Sequence, residues 1–349
     1  MEQASLRLMV GLQELGHSCA VISLNPIGGL GSLLDEHHIP ATGLTYDGRG
    51  GWRSCLLVRR TLRSVQADSL LMTGHNLCAM LALGDLCHGR RVLAIHFHHK
   101  GVKPPWQWRL IYRIACKRFQ AITFPSDFVR HEAEKIYPPI TSLSRTVRNP
   151  LPICPLPTAE VRRDAKVALE LPPDARVIGN AGWLIPRKRF DVFLRTARLI
   201  LREVPDAYFL IAGDGDERAN LERLARELNI AARVKWLGWE MDMPRFYRCL
   251  DVMLFNSDWD AMGLAPLEAM SYGVPLVASV QHGGLQEILS RHEYGFLIPT
   301  HDIEALAERT VYVLQNPDEA REVALMGRER VAQVSNTARI AAEVESLLS

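Results

Sequence analysis

Short apolar runs alternate along the chain with longer stretches whose apolar positions recur at helical spacing. That alternation is the signature of parallel sheets with crossover helices. In the first half the pattern predicts strands at Ser18–Leu24, Ser69–Met72, Arg91–His96 and Ala121–Phe124, and helices at Arg109–Arg118 and Asp127–Ile136. A proline-rich stretch, Asn149 to Pro157, follows. Proline removes backbone donors and blocks helix, so this is a stiff linker and a domain boundary. The second half predicts strands at Arg176–Asn180, Tyr208–Ala212, Val234–Leu237, Val252–Phe255 and Leu276–Ala278. The chain therefore reads as two doubly wound α/β domains, 1–150 and 151–334. A last helix, 335–349, is placed as returning toward the first domain. Two such domains joined by a linker face one another across a cleft, and open α/β sheets bind ligands at the carboxyl ends of their strands.

The start of the chain breaks the pattern. Met1–Leu15 already reads as a helix closed by Gly16, whereas a doubly wound domain begins with a strand and a glycine loop. The first strand is missing from the pattern. The expectation is a polypeptide that begins upstream of Met1, or a truncated and poorly stable product.

Composition adds exclusions. A net charge of +2 in 349 residues gives no reason to expect nucleic acid as a partner. The seven cysteines form no C-x-x-C pair, so zinc and redox motifs are weak readings, and an odd count suggests a reducing compartment. No signal peptide or clean transmembrane span is visible, because the most apolar stretch, Ser69–Cys87, contains His75, Asn76, Gly84 and Asp85. The expected location is the cytoplasm, or the inner face of the plasma membrane as a peripheral protein.

The densest chemistry lies in Asp260-Ala-Met-Gly263-Leu264-Ala-Pro266-Leu-Glu268, after the strand Val252–Phe255. Pro266 suits the first position of a helix. The turn at Gly263 and Leu264 then aims backbone N–H groups at an anion, helped by the helix dipole, and a diphosphate fits that environment. Glu268, one turn on, can accept hydrogen bonds from vicinal ribose hydroxyls. A plain N-terminal carboxylate favoured by the dipole is the competing reading for Glu268.

The segment resembles the acidic-x7-acidic motif of glycosyltransferase family 4, a retaining family with the GT-B fold. The resemblance continues in order through Gly182-Trp183-Leu-Ile-Pro-Arg187-Lys188, Ile211-Ala-Gly213-Asp214-Gly215-Asp216, Leu237-Gly238, Gly283-Gly284-Leu-Gln-Glu287 and Gly295-Phe-Leu-Ile-Pro299. The first half matches through Gly16-His17, Ile95-His96 and Arg148-Asn149-Pro150. Two positions depart from the family pattern. Asp260 stands where Glu is usual, and Trp183 stands where an Arg is usual.

The resemblance implies a GT-B fold, transfer of a sugar from a UDP- or GDP-sugar with retention, and no cofactor or metal. Lys188 and Arg187, with the backbone of Gly182, Gly263, Leu264, Gly283 and Gly284, would hold the diphosphate. Glu268 would grip the ribose, and Asp260 and His96 would face the transferred sugar as the catalytic pair. The acceptor would be a saccharide or a lipid-linked one, in cell-envelope or exopolysaccharide synthesis. A nucleotide-sugar epimerase and a degenerate, non-catalytic nucleotide- or glycan-binding protein remain as alternatives.

Other features have blander readings beside the sharper ones. Arg187-Lys188-Arg189 can be a solvated charge run at a helix start. Gly283-Gly284 can be a simple tight turn. Asp214-Gly215-Asp216 looks like a D-x-D metal site but reads better as N-terminal caps of a helix Glu217–Asn229. Alternate residues on a strand end diverge, so His96, His98 and His99 do not converge on a metal; His98 and His99 read as loop residues. Lys100–Gln120 is basic and aromatic, with Lys100, Lys103, Trp106, Trp108, Arg109, Tyr112, Arg113, Lys117 and Arg118. It suits either an anionic membrane surface or an ordinary amphipathic helix.

Overall fold

A computed structural model describes residues 2–45, 52–65, 67–83, 89–96, 99, 102–240, 242–289, 292–298 and 302–349. Phe97, His98, Lys100 and Pro299 lie outside the described residues. The chain divides into two compact units, Met1–Leu151 with Ser335–Ser349, and Pro152–Val334.

The first unit runs α1 (Glu2–Glu14), β1 (Val21–Ser23), α2 (Leu30–Glu36), β2 (Ala41–Gly43), α3 (Trp52–Ser64), β3 (Leu70–Thr73), α4 (Leu77–Ala82), β4 (Arg91–Ala94), α5 (Pro105–Arg118), β5 (Ala121–Phe124), α6 (Asp127–Ile136) and β6 (Ser144–Thr146). Polar caps set two of the helix starts. Asn76 accepts the amide of Ala79 at 2.9 Å and Ser126 that of Val129 at 3.3 Å. The strands do not form one sheet. β1 pairs with β2, while β3-β4-β5-β6 form a separate parallel sheet. Yet the two sheets share their covering layers. On one side α1 packs Leu6 into the cluster that takes in Val21 of β1, and Leu8 into the cluster that takes in Leu71 of β3. Elsewhere Ile22 of β1 and Met72 of β3 pack into one cluster with Val58 and Ala79. The break between the two sheets falls between β1 and β3. The C-terminal helix Thr337–Leu348 belongs to this unit. It lies on α1, with Gly11 against Ala341, and its Leu348 carbonyl accepts from Ser69 Oγ at 2.7 Å.

The second unit runs α7 (Ala159–Ala168), β7 (Arg176–Ala181), α8 (Phe190–Glu203), β8 (Ala207–Ala212), α9 (Arg218–Glu227), β9 (Val234–Gly238), α10 (Met243–Cys249), β10 (Val252–Asp260), α11 (Leu264–Ser271), β11 (Leu276–Gly283), α12 (Gly284–Ile288), β12 (Phe296–Leu297), α13 (Ile303–Gln315) and α14 (Pro317–Val334). Its strands form one parallel sheet in the order β12-β11-β10-β7-β8-β9. The helix face of Phe190, Phe193, Ala197 and Ile200 packs on Ile178, Phe209 and Leu254 of the sheet. Strand order reverses between β7 and β10. In open α/β sheets that switch point is where loops diverge and leave a crevice.

Several boundaries differ from the pattern. β4 ends at Ala94, so His96 follows the strand rather than ending it. α5 begins at Pro105, four residues before the predicted Arg109, because proline is well suited to a first helical turn. β10 and β11 extend to Asp260 and Gly283, well past the predicted Phe255 and Ala278. The apolar run stops there, but the parallel ladder does not, continuing through Asn256↔Ser279 to Asp260↔Gly283. The thiols depart too. Cys19, Cys116, Cys154 and Cys249 are free, whereas Cys78 is disulfide-bonded.

Candidate donor site in the second unit

The switch point carries the charged residues that the sequence singles out. After β7 the chain turns through Gly182 and Trp183 into a short 3₁₀ turn, Pro186–Lys188. Lys188 Nζ makes a short, buried ion pair with Asp260 Oδ2 at the end of β10. Arg187 stacks over the Trp259 ring, 4.2 Å from its centroid, and donates to the Trp259 carbonyl at 3.2 Å. Ser257 Oγ bridges the two segments, donating to the Trp259 carbonyl at 2.8 Å and lying 3.3 Å from the Arg187 carbonyl. These contacts fix the basic turn to the strand end.

Burial alone would push the Asp260 carboxyl up. Lys188, by charge and hydrogen bond, outweighs it, with help from Arg187 and the Gly263 amide, and holds the group below the usual carboxylate range. Burial pulls Arg187 down from the usual guanidinium value, and Asp260 opposes the shift. Asp260 is thus ionised at neutral pH, and two cations share one carboxylate. The cluster carries a net positive charge in a half-buried setting, which favours an incoming anion.

The turn into α11 differs from the anion cradle that the sequence suggests. Gly263 is in the left-handed region with φ 74°, which favours glycine, and is the N-cap of a helix beginning at Leu264. Pro266 is therefore the third helical residue, not the first. The Gly263 amide is not free. It donates to Asp260 Oδ1 at 3.1 Å, so the side chain of Asp260 closes the turn that an anion was expected to close. Leu264, next along, begins the helix. Gly283 answers a packing need beside Asp260. A Cβ there would run into the Asp260 carbonyl, and its φ is 147°. Gly284 is buried and opens α12.

Glu268 lies one turn into α11, where its Oε2 accepts from Tyr247 Oη at 2.8 Å. Tyr247 is itself stacked on Tyr272, ring centroids 5.5 Å apart. Sequence reasoning missed Tyr247, Ser257 and Trp259. No motif marks Tyr247 or Ser257, while Trp259 was legible only as the neighbour of Asp260. Trp183, noted as a departure, is exposed. Its ring lies 4.9 Å from that of Trp239, which follows β9 and is equally exposed. Asp214 and Asp216 are not helix caps. Asp214 Oδ1 accepts the amide of Gly215 at 2.8 Å, and α9 has Glu217 at its N-cap with no side-chain cap bond. Among the described residues no group of three acids, histidines or cysteines is placed to hold a metal.

His96 lies in the first unit, beyond β4. It lines a small pocket with Ser5, Thr73, Thr123, Arg148 and Asn149. Burial pushes the imidazole down to about 4, against a hydrogen bond with Asn149 that opposes the shift. Its Nδ1 is buried with no hydrogen-bond partner. His99 lies between β4 and α5, outside any helix or strand as a loop residue should, but its side chain belongs to the core. It is buried, bonded to Tyr112 Oη, and its ring meets Trp108 edge-on with centroids 4.7 Å apart.

The second unit thus joins a parallel α/β sheet to a cluster of cationic and acidic side chains at its switch point. Residues 161–330 match the family described as glycosyl transferases group 1, and residues 1–150 match glycosyltransferase family 4. The chain belongs to glycosyltransferase family 4. It is 29% identical over 185 residues to the lipopolysaccharide core biosynthesis glycosyltransferase LpsE of Rhizobium meliloti, covering 53% of each chain. It is 34% identical over 149 residues to an Escherichia coli UDP-Gal:alpha-D-GlcNAc-diphosphoundecaprenol alpha-1,3-galactosyltransferase, covering 42% of this chain and 38% of the relative. The chain spans about half the length, or less, of these curated relatives (53% and 38%). Among solved structures, Anabaena HepE in complex with UDP and glucose superposes with a TM-score of 0.85 at 18% identity, over 99% of this chain and 95% of that one.

Proposed function

We propose that this chain transfers a sugar from a nucleoside diphosphate sugar to an acceptor hydroxyl, with retention at the anomeric carbon and no metal. The observation that carries the reading is the Lys188–Asp260–Arg187 cluster at the switch point of the second unit. A diphosphate entering there meets fixed positive charge. Such preorganised charge stabilises the negative charge that grows on a leaving diphosphate. The bond from the anomeric carbon to the diphosphate breaks, and a bond to the acceptor oxygen forms on the same face. The acceptor's proton passes to a leaving phosphate oxygen. Lys188 and Arg187 hold the diphosphate with the backbone of Gly182, Leu264 and Gly284. Glu268, oriented by Tyr247, grips the ribose. Asp260 faces the transferred sugar.

UDP is the favoured nucleotide, since the Anabaena neighbour binds UDP and the Escherichia coli relative is named for UDP-Gal. The acceptor class is a cell-envelope saccharide or its lipid-linked form, by the names of the same relatives. Incubation with UDP- and GDP-sugars and a panel of saccharide acceptors, read by product NMR, tests the reading. An α-linked product from an α-linked donor supports it. Inversion refutes retention, and donor turnover without acceptor into an epimer refutes transfer. A second reading, nucleotide binding without transfer, is favoured by Trp183 in place of the family's arginine. Tight UDP binding with no product from any acceptor selects it.

A further inference from the structure

The charge of this chain is unevenly spread. Residues 48–126 hold thirteen lysines and arginines against only two acids, Asp68 and Asp85, while the whole chain nets +2. No acid occurs between Asp85 and Asp127. The structure puts part of this charge on outward helix faces of the first unit, mixed with large apolar side chains. On α5 the exposed residues are Trp106, Arg109, Leu110, Arg113 and Lys117, spaced as one helical face. Trp108 and Tyr112 of the same helix point inward and are fully buried, so the aromatic character of the outer face rests on Trp106, 63% exposed. On α3 the exposed residues repeat the mixture and include Leu56, Leu57, Arg59, Arg60 and Arg63. α4 packs against both helices and exposes Leu81. Among the described residues, no ion pair neutralises Arg59, Arg60, Arg63, Arg113 or Lys117.

We propose that the outer face of α3, α4 and α5 docks on an anionic lipid surface. Trp and Leu side chains with arginines beside them on one face match the chemistry of the interfacial zone. There the apolar groups enter the acyl boundary and the cations meet lipid phosphates. A nucleic-acid surface would match the charge but leave Leu56, Leu81 and Leu110 without an apolar partner. The inference rests on this surface and does not depend on sugar transfer.

Vesicle co-sedimentation of the full chain tests it, with phosphatidylcholine alone and with added phosphatidylglycerol. Binding is expected only with the anionic lipid, and it weakens as salt rises. Replacing Arg59, Arg60 and Arg63 together with Gln lowers the partition about 100-fold, since each cation near such a surface contributes about fivefold. Trp106→Ser with Leu110→Ser is expected to lower it at least tenfold while leaving the salt dependence in place. Circular dichroism and UDP binding by the second unit serve as folding controls for both variants. Equal binding to neutral and anionic vesicles, or binding to neither, overturns the proposal. Unaltered partition of both folded variants does the same. A DNA duplex that binds the protein more tightly than the vesicles do assigns the face to nucleic acid instead.

Discussion

Lys188 and Asp260 are joined across the switch point of the second unit's sheet, each with a side chain almost fully withdrawn from water. Lys188 is therefore held, in the absence of donor, by a residue that the incoming diphosphate has to compete with. Asp260→Asn is expected to destabilise folding by about 3–5 kcal/mol, the usual consequence of removing one partner from a buried pair. It is not expected to weaken UDP binding, because Lys188 is released, but it should abolish transfer. Lys188→Ala should weaken UDP binding by about 1.5–3 kcal/mol for the lost charge-assisted contact. Calorimetry and denaturant melts of both variants and the double variant check this. Weaker UDP binding by Asp260→Asn would show that the carboxylate helps rather than competes.

That Lys188 and Asp260 belong to one candidate site was legible in the sequence because its landmarks are local and ordered. Lys188 and Asp260 are 72 residues apart, yet each sits in a recognisable segment. What could not be read was how they meet. The parallel ladder extends five residues past Phe255, through a mostly polar stretch, and brings Asp260 to the strand end, where its side chain takes the Gly263 amide. Tyr247 was invisible because its role comes from the packing of α10 beside α11. The first unit was less legible. β2, α3 and β6 are short or basic and carry no clean period, and the split sheet follows from pairing that no local pattern reports.

Glu268 is oriented by Tyr247, and that contact supplies a graded test of the ribose role. Glu268→Gln should weaken UDP binding by about 1.5–3 kcal/mol if the carboxylate accepts from ribose hydroxyls. Tyr247→Phe should cost about 0.5–1.5 kcal/mol, since it removes only the orienting bond. Comparing UDP with its 2′-deoxy form discriminates. Equal affinity of the wild-type protein for both would remove Glu268 from the ribose.

Transfer should survive excess EDTA. Lys188 and Arg187 already supply positive charge at the cluster, and Asp214 spends one oxygen on the Gly215 amide rather than joining a set of acids. The measurement is initial rate with and without chelator. Loss of activity that manganese restores would place a metal in the reaction.

Trp183 and Trp239 expose adjoining rings beside the ends of β7 and β9. A planar base stacks well on such a surface, and aromatic–base stacking contributes about 1–3 kcal/mol. Trp239→Ala should therefore weaken UDP binding about tenfold or more, with loss of the tryptophan fluorescence change on titration. If inorganic pyrophosphate binding fell by the same factor, the effect would not be stacking.

His96 should impose a pH dependence on stability. Its imidazole is pushed down to about 4, chiefly by burial, while an unfolded histidine titrates near 6.5. Between these values the unfolded chain takes up a proton that the folded chain refuses. Stability is then complete above about pH 6.5 and falls as the pH drops toward 4, by up to about 3 kcal/mol from this group. His75 is shifted the same way by burial and by Lys103, so the wild-type slope contains both. Asp260 acts in a different window. Its carboxyl is held below the ordinary value, so the pair with Lys188 survives throughout the range above pH 4. His96→Gln should therefore flatten the slope between pH 6.5 and 4 without altering its sign. Denaturant midpoints at half-unit pH intervals give the comparison. Identical slopes for the two proteins, or a side-chain nitrogen NMR titration placing His96 near 6.5, would show that its pocket does not exclude the proton.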